Sequence, residues 1–258
     1  RNFGGSGAST MGSGIAVDAA GMAYLVGDFS GAGLTMPLLS KLGVYDHFAL
    51  KVDGEGNLVW ATRFGGAGAS ARGGAVTVDD SGNVFVAGDL GGANLTMPVL
   101  ARIGVVDAYV IKLDAEGNFS WAHNFGGPGA STNRGGFARD GLGNLFIAGQ
   151  IDASITTPPL TKIGVRDVYA IKLDPSGTVT WARNYGGAGT TASGGRLAVD
   201  GDGNAFLLVT ANGVLTTPSL AAIGTLDPVL LRLHPSGSTT LTRRFGGAGS
   251  QAVPADVA

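Results

Sequence analysis

The sequence predicts an all-β protein made of consecutive four-stranded sheets, and three observations support this prediction. An aromatic residue followed by two glycines opens a similar block at residues 3, 64, 125 and 185, and a fifth begins at residue 245. The steps between these positions are 61, 61, 60 and 60 residues. The apolar runs inside each block have strand length, and turn residues separate them. A constant period of this size indicates a repeat architecture in which neighbouring units bury one another's apolar faces.

The period predicts one array over residues 1–258 without an internal boundary. Its four repeats cover approximately residues 3–63, 64–124, 125–184 and 185–244, and residues 245–258 are the start of a fifth repeat or a tail. No charge block, Pro-rich linker or low-complexity tract interrupts the repeats. We therefore expect a single domain.

Composition excludes several classes of protein. A hydrophobic content of 44% with a net charge of -2 is typical of a packed core and not of a disordered chain. Because no Lys/Arg cluster is present, nucleic acid is not an expected partner. No apolar run reaches the ~18 residues that a membrane helix needs, so membrane insertion is not expected. The chain has no cysteine, which fits a secreted or cell-surface bacterial repeat protein.

Each repeat is predicted to consist of two consecutive β-hairpins. In the second repeat the strand-like runs cover residues 75–78, 84–87, 108–113 and 119–122. The turns Asp79–Asn83 and Asp114–Asn118 join these runs in pairs. An Asp that accepts a bond from its own backbone, followed by a Gly that takes a positive φ, favours a tight turn.

A longer segment links the two hairpins of each repeat. It covers residues 34–39, 95–100, 155–160 and 215–220, and each copy contains a proline. Because proline cannot donate to a β-ladder, this segment is predicted to be an ordered crossing loop. A Gly and an Asp three residues apart then precede the third strand of every repeat, which is typical of turn chemistry.

Four antiparallel strands in each ~60-residue unit, repeated radially, match the plan of a β-propeller. A β-solenoid is the alternative, but its coils are shorter. The recurring glycine pairs are expected where neighbouring sheets approach closely. Trp60, Trp121 and Trp181 share one phase of the fourth strand and are predicted to fill the space between sheets, whereas Leu241 occupies that phase in the fourth repeat.

The combined motif resembles the bacterial β-propeller repeat named for seven-bladed propellers. The matching elements are Asp-x-x-Gly-Asn, Thr-x-Pro, Gly-x-x-Asp, a Lys-containing third strand, Trp and Phe-Gly-Gly, and they recur over nearly the whole chain. The resemblance implies a secreted or surface-exposed bacterial protein of binding or scaffolding type, usually without a defined catalytic site. Four full repeats leave three alternatives open: a four-bladed ring, a segment of a larger propeller, or an arc completed by a second copy.

Candidate binding groups recur at equivalent loops, where successive repeats could present repeated shallow sites to glycans or protein partners. They are Asp46, Asp107, Asp167 and Asp227, with Tyr45, Tyr109 and Tyr169. The alternative is that the aspartates serve turns and the tyrosines are half-buried strand residues. His47, His123 and His234 lie at three different phases and are expected at the surface or in turns, which argues against a catalytic His.

The loop containing Asp200, Asp202 and Asn204 has alternating oxygen ligands and is the strongest candidate for calcium. A hairpin turn explains this loop and its three sister loops with one cause, so no cofactor is expected apart from this calcium hypothesis. Taken together, the sequence predicts a non-enzymatic extracellular binding or assembly module, with self-association into a larger ring or polymer as one mode. A multivalent, lectin-like carbohydrate-binding propeller is the alternative, and a propeller-borne lyase is the third interpretation.

Overall fold

A computed structural model describes residues 2–249 and residue 251. These residues form 24 β-strands and no helix, which confirms the all-β prediction. Among them, accordingly, no helical segment has the length and apolar character needed to cross a membrane.

The strands fall into four groups that follow the sequence repeats. Repeat 1 contains β1 (Ala8–Val17), β2 (Ala23–Gly31), β3 (Leu34–Thr35), β4 (Leu38–Leu39), β5 (Asp46–Val52) and β6 (Leu58–Phe64). Repeat 2 contains β7 (Ala69–Val78), β8 (Val84–Gly92), β9 (Leu95–Thr96), β10 (Val99–Leu100), β11 (Val106–Leu113) and β12 (Phe119–Phe125). Repeat 3 contains β13 (Thr132–Arg139), β14 (Leu145–Ile151), β15 (Ile155–Thr156), β16 (Pro159–Leu160), β17 (Asp167–Leu173) and β18 (Val179–Tyr185). Repeat 4 contains β19 (Ala192–Val199), β20 (Ala205–Ala211), β21 (Leu215–Thr216), β22 (Ser219–Leu220), β23 (Asp227–Leu233) and β24 (Thr239–Arg244).

Each repeat is one four-stranded sheet in which consecutive long strands are neighbours, as the orders β1-β2-β5-β6 and β13-β14-β17-β18 illustrate. This arrangement confirms the prediction of two consecutive hairpins in every repeat. The observed strands are longer than the predicted runs. The last strand of repeats 1 to 3 ends on the aromatic residue that the sequence assigned to the next repeat: Phe64, Phe125 or Tyr185.

The hairpin turns share one hydrogen-bond pattern. In the first turn of repeat 2, the Asp79 N–H donates to the carbonyl of Asn83 at 3.0 Å, and the Gly82 N–H donates to the carbonyl of Asp79 at 2.9 Å. The Asp79 carboxylate also accepts from the backbone N–H groups of Ser81 and Asn83 at 3.0 and 2.9 Å. Gly82 has a φ of 79°, a value that L-residues rarely adopt. The predicted turn chemistry is confirmed.

The crossing segments lie outside the four sheets, as predicted, but each forms a two-residue antiparallel ribbon around a cis X-Pro bond. The ribbon holds the Phe-Gly-Gly motif. The Gly4 N–H donates to the carbonyl of Met36 at 2.7 Å, and the Thr35 N–H donates to the carbonyl of Gly4 at 3.0 Å. The same bonds join Gly65, Gly126 and Gly186 to the ribbons of repeats 2, 3 and 4.

The structure divides into two compact units, Arg1–Asn124 and Phe125–Ala258. The sequence predicted one array without an internal boundary, and the observed division coincides with the predicted border between repeats 2 and 3. In the first unit, Tyr24, Val26 and Ala49 of repeat 1 belong to the same buried cluster as Val86 and Ile111 of repeat 2. Neighbouring sheets of a unit thus bury each other's faces.

The second unit repeats this packing. Phe146, Ala148 and Trp181 of repeat 3 share a buried cluster with Leu207 and Leu231 of repeat 4. After repeat 4, Gln251 pairs with Leu226 in parallel, just as Thr191 pairs with Arg166 one repeat earlier. The bridge that links one repeat to the next is therefore also present between repeat 4 and Gln251. Residue 250 and residues 252–258 lie outside the described residues.

Candidate functional site

The four aspartates that were candidate ligand-binding groups are fully buried, and their carboxylates are already engaged. Asp107 accepts hydrogen bonds from the backbone N–H groups of Ile103 and Gly104 at 2.6 and 2.8 Å. The same two bonds, from residues four and three positions earlier, are made by Asp46, Asp167 and Asp227. The loop backbone enters the sheet here, and its N–H groups would otherwise be buried without partners. These carboxylates therefore serve the loop, in agreement with the turn interpretation, and offer no exposed oxygen to the repeated shallow sites that the sequence suggested.

A side-chain donor joins the two backbone donors at three of these sites. The side-chain amides of Asn124 and Asn184 donate to Asp107 and Asp167, both at 2.7 Å. In repeat 4 this donor is replaced by Arg244, whose Nε lies 2.7 Å from Asp227 Oδ2. Burial by itself raises the pKa of Asp227, but the N–H groups of Gly224 and Ile223 and the Arg244 guanidinium outweigh it, so the pKa lies below its usual value.

The three candidate tyrosines do not form a repeated surface. Tyr109 and Tyr169 are fully buried, which corrects both the binding-site prediction and the half-buried alternative for them. Tyr45 is partly exposed, but it stands directly before its aspartate, whereas the other two stand two residues after theirs. The guanidinium of Arg72 lies 3.8 Å from the centre of the Tyr45 ring.

The candidate calcium loop is a hairpin turn like its sister loops. Asp200 Oδ1 accepts from the backbone N–H groups of Asp202 and Asn204 at 3.1 and 2.8 Å, and Oδ2 accepts from the Asn204 amide at 2.9 Å. The Asn204 side chain is the main reason that the pKa of Asp200 is lowered. No group of three or more His, Cys, Asp or Glu side chains suited to a metal ion occurs within residues 2–249 and 251.

Sequence reasoning missed a buried polar cluster in the first unit. His47, expected at the surface or in a turn, is fully buried, and its Nδ1 is hydrogen-bonded to the Tyr109 hydroxyl of repeat 2. On the neighbouring strand, burial raises the pKa of Asp28, although Arg72 opposes this shift. The signal was available, because the position of His47 holds an apolar residue in every other repeat. His47 and Tyr109 expose no surface to a substrate, so the contact joins repeats 1 and 2.

One flank of repeat 1 is an apolar surface, which we call the N-face and define by Ile15, Val17, Leu25, Phe48 and Leu50. Leu25 is half-buried and Phe48 and Leu50 are buried in the cluster of repeat 1, so Ile15 and Val17 form the exposed part of this face. Ile15 and Val17 are 65% and 61% exposed. A groove of about 380 Å³ runs along this face, lined by Ile15, Leu25, Phe48 and Leu50.

The equivalent flank of repeat 2 is covered. Val76 and Val78 stand where repeat 1 has Ile15 and Val17, and both pack against the cluster shared with repeat 1. Leu197 and Val199 do the same against repeat 3 in the second unit. The N-face is therefore a sheet surface of the kind that a neighbouring repeat buries elsewhere in the chain.

The opposite flank of repeat 4 is also incompletely covered. This surface, the C-face, is formed by Phe206, Leu208, Leu230, Leu241 and Phe245. Phe206 and Leu208 are half-buried, whereas the equivalent Phe146 and Ala148 of repeat 3 are buried in the cluster with repeat 4. Phe245 is 53% exposed, whereas the equivalent Tyr185 is buried.

A third apolar surface lies beside the ribbon of repeat 2. Phe64, Met97, Pro98, Val99 and Phe119 line a groove of about 360 Å³. In the second unit the ribbon tips carry Thr157 and Pro159, or Thr217 and Ser219, in place of Met97 and Val99. Repeat 1 carries Met36 and Leu38 at these positions, so the apolar ribbon tip is shared by the first unit and is not part of the plan common to all four repeats.

Comparison with protein-family models matches residues 59–94 to the beta-propeller repeat of the SBBP family. The matched segment spans most of the last strand of repeat 1 and the first two strands of repeat 2, including their Phe-Gly-Gly junction. No curated protein matches the chain. The predicted family resemblance is confirmed in this segment, and the fold is that of a β-propeller repeat protein.

Proposed function

Starting from a chain that carries an SBBP β-propeller repeat, we propose that it is a non-enzymatic binding and assembly module of a secreted or surface-exposed bacterial protein. In this role the N-face is a docking surface for the flank of another β-propeller sheet. A propeller repeat by itself indicates a binding or structural module, because the fold hosts many unrelated activities.

The exposure of Ile15 carries the proposal. Its side chain is 65% exposed, whereas Val76 at the same position of repeat 2 packs against repeat 1. Contiguous exposed apolar surface on a soluble domain marks an interaction site. We take the partner to be a β-propeller sheet, because the sheet of repeat 1 is what covers the equivalent surface of repeat 2.

Two further observations support a non-enzymatic role. The recurring buried carboxylates accept hydrogen bonds from N–H groups of their own loops, which also removes the main support for glycan sites. These carboxylates belong to Asp46, Asp107, Asp167 and Asp227. His47 is buried at the contact between repeats 1 and 2, away from any substrate. The extracellular location rests on the absence of cysteine and on the family resemblance.

Site-specific photo-crosslinking tests the proposal in the organism that makes the protein. A benzophenone amino acid replaces Ile15 in one variant and Leu142, an 82% exposed turn residue outside both faces, in the control variant. We expect crosslinks from position 15, identified by mass spectrometry as peptides of a β-sheet protein, and none from position 142. Absence of crosslinks at position 15, or equal capture at both positions, would reject the docking role of the N-face.

A further inference from the structure

We infer that the C-face of one copy of this chain seats on the N-face of a second copy, so that the copies associate head to tail. This inference rests on the proposed function and adds the identity of the partner. Both faces are apolar, both are incompletely covered, and they are the two halves of an interface that the repeats make with each other inside each unit. A contact of this heterologous type extends an array or closes a larger ring.

Gly12, beside the N-face, has open space at a position where a neighbouring backbone approaches closely in repeat 2. In repeat 2, a Cβ at Gly73 would lie 2.8 Å from the backbone carbon of Gly27 in repeat 1. In the second unit the close approach falls one position later in the repeat, where a Cβ at Gly195 would lie 2.8 Å from the backbone nitrogen of Gly149. Gly12 occupies the position of Gly73 in repeat 1, and a Cβ there would meet nothing within 4 Å. Among residues 2–249 and 251, no backbone lies against Gly12 in this way.

The second hairpin turn of repeat 1 is uncovered in the same way. The corresponding turn glycines Gly117 and Gly237 lie against the indole rings of Trp60 and Trp181 from the preceding repeat. Gly56 is their equivalent in repeat 1, and a Cβ there would meet nothing within 4 Å. Leu241 of a second copy, at the phase of these tryptophans, supplies the missing apolar contact.

Charges on the C-face match this turn. In the second unit, Arg183 Nε donates to the carbonyl of Gly237 at 3.2 Å, and Lys172 Nζ donates to the carbonyl of Pro235 at 3.4 Å. Arg243 and Arg232 are their equivalents in repeat 4. Residues 2–249 and 251 contain no second hairpin turn of a fifth repeat that could accept hydrogen bonds from these two side chains. Arg243 already donates to the preceding carbonyl at 3.0 Å, as Arg183 does at 2.8 Å. The facing turn of repeat 1 carries Glu55, whose carboxylate complements both guanidinium groups.

Complementation between two blocked variants tests the inference. Gly12→Glu places a charge on the N-face at a position where the chain leaves open space, and Phe245→Glu places one on the C-face at a 53% exposed side chain. We expect wild type to exceed the mass of one chain, 25.7 kDa, increasingly with concentration in light scattering. Each variant alone is expected to remain at one chain mass, and an equimolar mixture is expected to reach two chain masses, because each supplies one intact face.

The control variant is Leu142→Glu, which is expected to associate like wild type. Circular dichroism checks that each variant is folded, and Ile15→Glu replaces Gly12→Glu if the latter fails to fold. A mixture that stays at one chain mass overturns the inference, as does a wild-type chain that stays monomeric at every concentration. If wild type is monomeric while the probe at position 15 still captures a different β-sheet protein, the proposed function survives and only the second copy is rejected.

Discussion

The indole of Trp60 in repeat 1 lies against Gly117 in the second hairpin turn of repeat 2. Trp60 Nε1 donates to the carbonyl of Ala115 in that turn at 3.0 Å, and a Cβ at Gly117 would lie 2.7 Å from Cδ2 of the ring. Trp181 makes the same contacts with Pro235 and Gly237 in the second unit, with a hydrogen bond of 2.9 Å. The tryptophan thus joins adjacent sheets in two ways, because its ring packs against the turn and its Nε1 donates a hydrogen bond to it.

Substitution of Gly117 by alanine is expected to destabilise the protein more than the same change at Gly56. Both glycines have φ near 80°, so either alanine costs about 1–2 kcal/mol in backbone strain. Only Gly117→Ala adds a clash with an indole, and overpacking of this kind costs roughly a further 1–3 kcal/mol. Urea unfolding of the two variants measures the difference. Equal losses of unfolding free energy would mean that the indole moves aside without cost.

Replacing Asp107 by asparagine tests the buried carboxylate. The substitution must place an NH₂ group against the N–H of Ile103, the N–H of Gly104 or the amide of Asn124, all of which are donors. Leaving buried donors unpaired costs about 1–3 kcal/mol of unfolding free energy. Asp202→Asn, at an exposed turn position, is the matched control and is expected to leave stability within about 0.5 kcal/mol of wild type.

Stability conferred by Asp227 is expected to disappear in acid. Its folded-state pKa is lowered because the loop N–H groups and Arg244 outweigh burial, whereas the unfolded value is about 3.9. The carboxylate therefore stabilises the fold above the unfolded pKa, and this contribution is lost as pH falls through the folded pKa. The difference in unfolding free energy between wild type and Asp227→Asn should be largest near pH 7 and shrink below about pH 4.

Urea titrations of both proteins from pH 7 to pH 3 measure this difference. Asp114, Asp174 and Asp200, whose pKa values are also lowered, are present in both proteins and cancel in the comparison. A difference that stays constant or grows with acidification would contradict the proposed role of the Asp227–Arg244 pair.

Calcium is expected to leave the melting temperature unchanged. The oxygens of Asp200 already accept from two backbone N–H groups and from the Asn204 amide, so a cation would have to displace these donors. Thermal melts with millimolar calcium and with EDTA should coincide, because a ligand that binds the native state raises Tm. A rise in Tm with calcium that Asp202→Asn abolishes would restore the calcium hypothesis.

Much of the fold could be predicted from short-range features of the sequence, such as turn residues and apolar runs. The turns Asp79–Asn83 and Asp114–Asn118 were predicted because an Asp acceptor and a positive-φ glycine act over five residues, and both turns have these bonds. The strands were predicted too short, because their outer halves are defined by pairing partners and not by apolar runs. For the segments around the prolines the sequence predicts only loops, since the pairing of two residues has no sequence period.

The candidate site was less predictable, because burial depends on residues distant in sequence. Asp46 and Tyr109 look like surface groups in isolation, yet the loop and the neighbouring sheet enclose them. His47 contacts Tyr109, 62 residues later, and only packing between two repeats could reveal this pair.

By itself, the sequence determined the repeat length, the two hairpins of each repeat and the role of hairpin-turn aspartates such as Asp79 and Asp114, because these depend on local backbone chemistry and on a period. The tertiary structure decided which copies of a repeated residue are covered. Ile15 and Val76 occupy the same position of their repeats, but only Val76 packs against a preceding sheet. Burial depends on the neighbouring sheet and not on the motif, and for that reason the N-face and the C-face became visible only in the folded chain.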